Sequence, residues 1–144
     1  VKKILIASDH AGFDLKSQLV SYLKSKNFEV TDFVTQSPDS VDYPDYANLV
    51  CQAMNSDSLG VLVCGSGQGM CIRANKFAHI RAALVYNDDI AKLSREHNDA
   101  NVICLGSRFV TLDQAKKFVD TFLSTDFAQG RHQQRVAKLS SPTS

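Results

Sequence analysis

A chain of 144 residues, 44% of them hydrophobic, has enough apolar material for one core, and a single domain over residues 1–144 is the expectation. A formal charge of +1 draws the molecule as a whole neither to nucleic acid nor to a membrane surface, so any anion must be met by a local cluster. No basic-then-apolar leader opens the sequence and no run approaches the ~20 apolar residues of a membrane span, so a cytoplasmic protein without nucleic-acid or membrane partners is expected.

Lys3 to Ser8 is an apolar run of strand length, and the polar turn Ser8-Asp9-His10-Ala11-Gly12 leads into helical spacing at Phe13, Leu15, Leu19, Val20, Tyr22 and Leu23, ending near Lys26-Asn27. Phe28 to Phe33 alternates as a strand does, and Val34 to Tyr43, with its Ser37-Pro38-Asp39-Ser40, reads as a loop. Pro44 suits the first turn of a helix whose buried stripe is Tyr46, Leu49, Val50, Ala53 and Met54. A strand then runs into Cys64, followed by a short helix through Lys76. Ile80 to Tyr86 is a fourth strand, and Asn87-Asp88-Asp89 caps a fourth helix. Asn101 to Leu105 is a fifth strand, Thr111 to Leu123 a further helix, and Phe127 to Leu139 a last, more polar one with a frayed end from Ser140.

Strands alternating with helices imply an α/β fold, a three-layer Rossmann-like sandwich with a five-stranded parallel sheet and an extra C-terminal helix. Ligands of such sheets bind beyond the carboxyl ends of the strands, where Asp9-His10, Cys64 to Gly69 and Asn87 to Asp89 all fall.

The stretch Val61-Leu62-Val63-Cys64-Gly65-Ser66-Gly67-Gln68-Gly69-Met70 is the centre of interest, since an apolar strand empties into a cysteine and three alternating glycines. Such glycines let successive backbone N–H groups turn inward as an anion-binding nest, and a thiolate above it can act as base or nucleophile. A free cysteine at a strand end is otherwise a small core residue. Familiar glycine-rich signatures fail. G-x-G-x-x-G would need glycine at Met70 or Ile72, the P-loop ending is missing, and a cysteine phosphatase would need arginine at Met70, with Arg73 too far along.

Asp9 could equally cap the first helix, and His97 could equally be a dipole partner at a helix C-terminus. Arg131 and Arg135, four apart, share a helix face that could hold a phosphate dianion or be merely solvated. His79 and Arg73 have no sequence partner that lifts them above surface residues. Cys51, Cys71 and Cys104 sit among apolar neighbours and read as core. The four cysteines lack C-x-x-C pairing, so neither zinc nor a disulfide framework is expected.

The motifs Ser8-Asp9-His10-Ala11-Gly12, Asp42-Tyr43-Pro44, Cys64-Gly65-Ser66-Gly67, Ala74-Asn75-Lys76, His97-Asn98-Asp99, Gly106-Ser107-Arg108 and Gly130-Arg131-His132-Gln133-Gln134-Arg135 run nearly end to end. With them the chain resembles the type B ribose-5-phosphate isomerases, of the sugar-phosphate isomerase family that includes galactose-6-phosphate isomerase subunits. The resemblance implies an aldose–ketose isomerase without metal or cofactor, with Cys64 as the base between C1 and C2 and His97 as the ring-opening acid. It implies Asp9 and Ser66 for hydroxyl protons, and Gly65, Ser66, Gly67, Gln68 and Gly69 as the anion hole. Tyr43 and Asn98 would touch the sugar, and His10, Arg108, Arg131 and Arg135 the phosphate. It further implies a homodimer or dimer of dimers whose C-terminal parts cross over to complete shared sites.

Many relatives carry threonine at Ser66, where the hydroxyl survives. Gln68, Cys71 and Arg73 also depart from the commonest pattern, while the backbone donors remain. A six-carbon sugar 6-phosphate is the alternative substrate, and a non-catalytic sugar-phosphate-binding module is the alternative role. The retained Cys64, Asp9 and His97 speak against the latter.

Overall fold

The computed structural model describes residues 3–34 and 42–142. Five strands, β1 (Lys3–Ser8), β2 (Val30–Phe33), β3 (Ser58–Cys64), β4 (Ala82–Leu84) and β5 (Val102–Gly106), form one parallel sheet in the order β2-β1-β3-β5-β4. Six helices connect and follow them: α1 (Phe13–Ser25), α2 (Tyr43–Ala53), α3 (Gln68–Ala74), α4 (Asp88–Glu96), α5 (Leu112–Ser124) and α6 (His132–Leu139).

The strands β3 and β5 are buried along their whole length, as expected of parallel strands covered on both faces. Their alternation sorts the core into two layers. Ile4, Ile6, Val61, Val63, Ile103 and Leu105 meet Leu19 and Leu23 of α1, Ala91 of α4, and Phe118 and Phe122 of α5. Leu5, Ala7, Leu62, Cys64, Val102 and Cys104 meet Val50 and Cys51 of α2, with Met70 and Ala74 of α3. The chain therefore leaves β1 on one face and β3 on the other. The C-terminal ends of these neighbouring strands form the point where the winding reverses, the usual place for a ligand in an open α/β sheet.

The expected sandwich is present, with differences at the ends of four elements: α3 stops at Ala74 rather than running through Lys76, and β4, β2 and α6 are also shorter than expected. β4 covers Ala82–Leu84 rather than Ile80 to Tyr86. Before it, Asn101 accepts from the Arg81 N–H at 2.7 Å, and beyond it Tyr86 is largely exposed. β2 starts at Val30 because the N–H groups of Asn27 and Phe28 still close the end of α1 on Lys24 and Leu23. α6 starts at His132 rather than Phe127, because Gln129 (φ 63°) and Gly130 (φ 60°) take left-handed conformations that a right-handed helix cannot contain. Most of the loop expected from Val34 to Tyr43 lies outside the described residues, and its end at Tyr43 already belongs to α2.

Candidate active site

Three loops meet at the C-terminal edge of β1, β3 and β5, and backbone hydrogen bonds stitch them together. The Ser107 N–H donates to the Cys64 carbonyl at 2.8 Å and the Arg108 N–H to the Gly65 carbonyl at 3.1 Å. The Ser107 hydroxyl donates to the Ala11 carbonyl at 2.9 Å. Asp9, 8% exposed, accepts from the Gly12 N–H at 2.9 Å, while its own N–H donates to the Val63 carbonyl at 3.2 Å. Asp9 thus both holds the turn into α1 and lines the cleft described next.

Asp9, His10, Ala11, Tyr43, Cys64, Gly65, Ser66, Gly69 and Arg108 line one cleft of about 280 Å³. Cys64 lies in its floor, 5% exposed. Gly67 does not itself line the cleft; it turns the chain at φ 79°, which an L side chain rarely adopts, and caps the start of α3. The Tyr43 ring lies so close to Gly69 that a Cβ there would meet it at 2.5 Å, so the side wall of the cleft requires glycine. The Arg108 guanidinium lies over Gly65. Ser66 is exposed, its hydroxyl accepting from the Gln68 N–H at 3.3 Å, and Gln68 does not line the cleft.

His97, Asn98, Arg131 and Arg135 are elsewhere. The register pairs Cys64 with Gly106 and Gly60 with Val102, so Val102 begins β5 about 13 Å before the cleft. His97 precedes it still, at the C-terminal end of α4, which runs back from Asn87 beside the carboxyl ends of the strands. There the His97 ring stacks on that of His132, with centroids 4.5 Å apart and planes 15° from parallel. The Ala128 N–H donates to the Glu96 carbonyl at 3.0 Å, which brings the start of α6 against the same corner. His97, Asn98, Arg131 and Arg135 are all exposed. Desolvation, with positive charge from His97, Arg131 and Arg135, pushes the His132 imidazole below the usual histidine range. One chain therefore carries two groups of polar residues at opposite edges of its sheet: an acid, a thiol and a glycine loop at one, histidines and arginines at the other.

The Asn87 side chain caps α4, accepting from the Ile90 N–H at 2.8 Å, and neither it nor Asp88 or Asp89 lines the cleft. All four cysteines are free thiols. Burial pushes Cys51 up to about 11, and it pushes Cys104 well above the usual thiol range. A hydrogen bond with Cys104 holds Cys71 below that range. Arg73 donates to the Asn48 side chain at 2.7 Å, and His79 lies 2.7 Å from the Cys51 carbonyl, so both serve packing around α2. Reading the sequence assigned no role to His132. Its stack on His97 joins positions 35 residues apart, and no periodicity connects them. Among the described residues no group of three or more His, Cys, Asp or Glu could hold a metal ion, and no helix is long and apolar enough to cross a membrane.

Comparison with known proteins agrees with this architecture. The family model described as Ribose/Galactose Isomerase matches residues 4–139. Ribose-5-phosphate isomerase B of Escherichia coli (strain K12) is 45% identical over 141 residues, covering 96% of this chain and 95% of its own. A crystal structure of a ribose 5-phosphate isomerase from Thermotoga maritima superposes with a TM-score of 0.93 at 49% identity, over 96% of this chain and 97% of that one. Ribose-5-phosphate isomerase B from Mycoplasma genitalium, solved with bound ribulose-5-phosphate, gives 0.93 at 45% identity, covering 96% and 93%. The chain belongs to the ribose/galactose isomerase family and is an isomerase.

Proposed function

We propose that the protein interconverts ribose 5-phosphate and ribulose 5-phosphate through an enediolate, in sites shared between two copies of the chain. The observation that carries this reading is the cleft itself, where the Cys64 thiol, the Asp9 carboxylate, the Ser66 hydroxyl and the Arg108 guanidinium converge over a glycine loop. The relatives named ribose-5-phosphate isomerase B, one of them solved with ribulose-5-phosphate, support the substrate.

In the open-chain aldose the Cys64 thiolate takes the C2 proton. The C–H electron pair forms the C1–C2 double bond and the carbonyl pair moves onto O1. Asp9 and Ser66 carry the hydroxyl proton from O2 to O1. As C2 becomes the ketone, the thiol returns its proton to C1. Negative charge develops on oxygen during this sequence, and backbone N–H groups of Gly65 to Gly69 are the preorganised donors for it. His10 and Arg108 hold the phosphate from the same side.

The histidine and arginine group cannot reach its own cleft along the length of the sheet, which supports a reciprocal exchange across a two-fold axis. In that arrangement His97 of the partner subunit opens the furanose ring, Asn98 of the partner subunit touches the sugar, and Arg131 and Arg135 of the partner subunit close on the phosphate. Side chains and backbone N–H groups of the two copies fill each role, so neither metal nor cofactor enters the scheme.

The test is an assay of the purified protein on ribose 5-phosphate, ribulose 5-phosphate and hexose 6-phosphates. Pentose turnover exceeding hexose turnover is the expected result. Preference for a six-carbon 6-phosphate would reassign the substrate, and binding without turnover of any of them would reduce the protein to a sugar-phosphate-binding module.

A further inference from the structure

Immediately after His97 and Asn98 the chain reverses at Asp99, in the left-handed region at φ 46°. Aspartate tolerates that conformation better than most residues, but an ordinary helix end needs only a cap there. Asp99 has far more. Its Oδ1 accepts from Arg95 at 2.9 Å and its Oδ2 from Arg81 at 3.4 Å. Its backbone carbonyl accepts from the Arg81 Nε–H at 2.8 Å, and its N–H donates to the Arg95 carbonyl at 3.2 Å. Two guanidinium groups thus hold one aspartate from opposite sides.

Arg95 is itself buried, 7% exposed, with its guanidinium near the Phe122 ring. It also donates to the Ala100 carbonyl at 2.5 Å and the Thr125 carbonyl at 3.0 Å. Thr125 follows α5 and starts the segment that leads to His132, so one side chain fixes both the turn bearing His97 and the strap bearing the residue on which His97 stacks.

We propose that Asp99, gripped by Arg81 and Arg95, is a positioning residue that sets the His97 imidazole for ring opening. His97 is exposed and, in the shared-site reading, serves a neighbouring chain's cleft, so its alignment depends on the turn behind it and on the His132 ring on which it stacks. A general acid misplaced by an ångström loses much of its rate, and a clamp on the backbone behind it supplies the alignment. The inference rests on the ring-opening assignment of His97 made above.

Two rates separate positioning from mere stability. Single-turnover conversion of cyclic ribose 5-phosphate requires ring opening, whereas exchange of the C1 proton of ribulose 5-phosphate with solvent does not. Asp99→Ala removes both acceptors and strains the turn. It should slow the first rate by about tenfold or more and leave the second within about twofold. Asp99→Asn, which tolerates the left-handed turn and keeps an acceptor, should restore most of the loss. Arg81→Gln, at a partly exposed arginine, should shift the ratio in the same direction by a smaller factor, and it carries the test if Asp99→Ala does not fold. His97→Asn is the reference. If His97→Asn separates the two rates and the Asp99 and Arg81 variants lower both equally or neither, the positioning role is wrong. If His97→Asn itself lowers both equally, the ring-opening assignment is wrong and the positioning role falls with it.

Discussion

The four thiols of this chain have the same chemistry and different surroundings. Cys51 and Cys104 are fully buried between the sheet and its helices, whereas Cys64 forms the floor of a cleft lined by a carboxylate, a hydroxyl and a guanidinium. Replacing Cys64 by alanine should lower exchange of the C1 and C2 protons by at least about a hundredfold, the usual range for a lost general base. Phosphate binding should change little, since it depends on the other end of the cleft. Solvent-proton exchange followed by NMR, with inorganic phosphate as a competing ligand, measures both, and an alanine variant that still exchanges at an appreciable fraction of the parent rate would exclude Cys64 as the base. Cys51 gives a stability prediction instead. Its folded thiol is raised to about 11 from an ordinary 9.0, so between those values the unfolded chain has lost a proton that the folded chain keeps. Stability from this group is fully present below pH 9 and falls by about 2 kcal/mol by pH 11. Urea unfolding at pH 8 and pH 10.5 should show that decline, and Cys51→Val should make it shallower by the share of this thiol, leaving the share of the buried Cys104. Cys64 was legible from sequence because a cysteine followed by alternating glycines is unusual chemistry in a short space. Asp99 was not, because its two arginines lie 4 and 18 residues back and only the folded turn brings both to it.

At the level of elements, hydrophobic periodicity and turn signals located all five strands and six helices, because most of them bury a face whose spacing is written in the chain, while α6, which buries no residue, follows from its polar helical spacing. Its errors fall where tertiary hydrogen bonds or left-handed residues override it, as at Gln129 and Gly130 before α6. A polar contact that no periodicity announces joins α1 to β2. Lys16, 1% exposed on a helix face that should be apolar, donates to Asp32 at 2.7 Å and lies over the Phe13 ring. Breaking a buried pair from one side strands the other charge. Asp32→Ala should therefore destabilise the fold by about 2–3 kcal/mol, somewhat below the fully buried range because Asp32 keeps contact with water. Lys16→Met, which removes the charge and keeps the stem, should cost less than half of that. Denaturant midpoints of the two variants check the order, and a larger loss for Lys16→Met would mean that the ion pair itself contributes net stability.

The strand order β2-β1-β3-β5-β4 could not be read from the alternation of elements, and it decides which polar groups share an edge. It brings Asp9, just beyond β1, and Cys64, at the end of the adjacent β3, to one edge, while the run of α4 takes His97 to the other. α6 supports the same division: it buries no residue against its own chain, and Leu139 is 61% exposed. The proposed sharing of the site between two copies has a consequence that no single-chain site can imitate. When Cys64→Ala chains and Arg135→Ala chains are refolded together, one site of a mixed dimer collects both defects and the other collects neither. Two inactive parents should then yield activity approaching that of one intact site per mixed dimer. If each site were built within a single chain, every site in the mixed dimer would keep one defect, and no activity could return. Mass spectrometry of the intact assembly establishes that mixed dimers have formed. Mixed dimers without activity would refute the exchange, yet they would leave the role of Cys64 standing, because the proton-exchange experiment tests that residue in a uniform population.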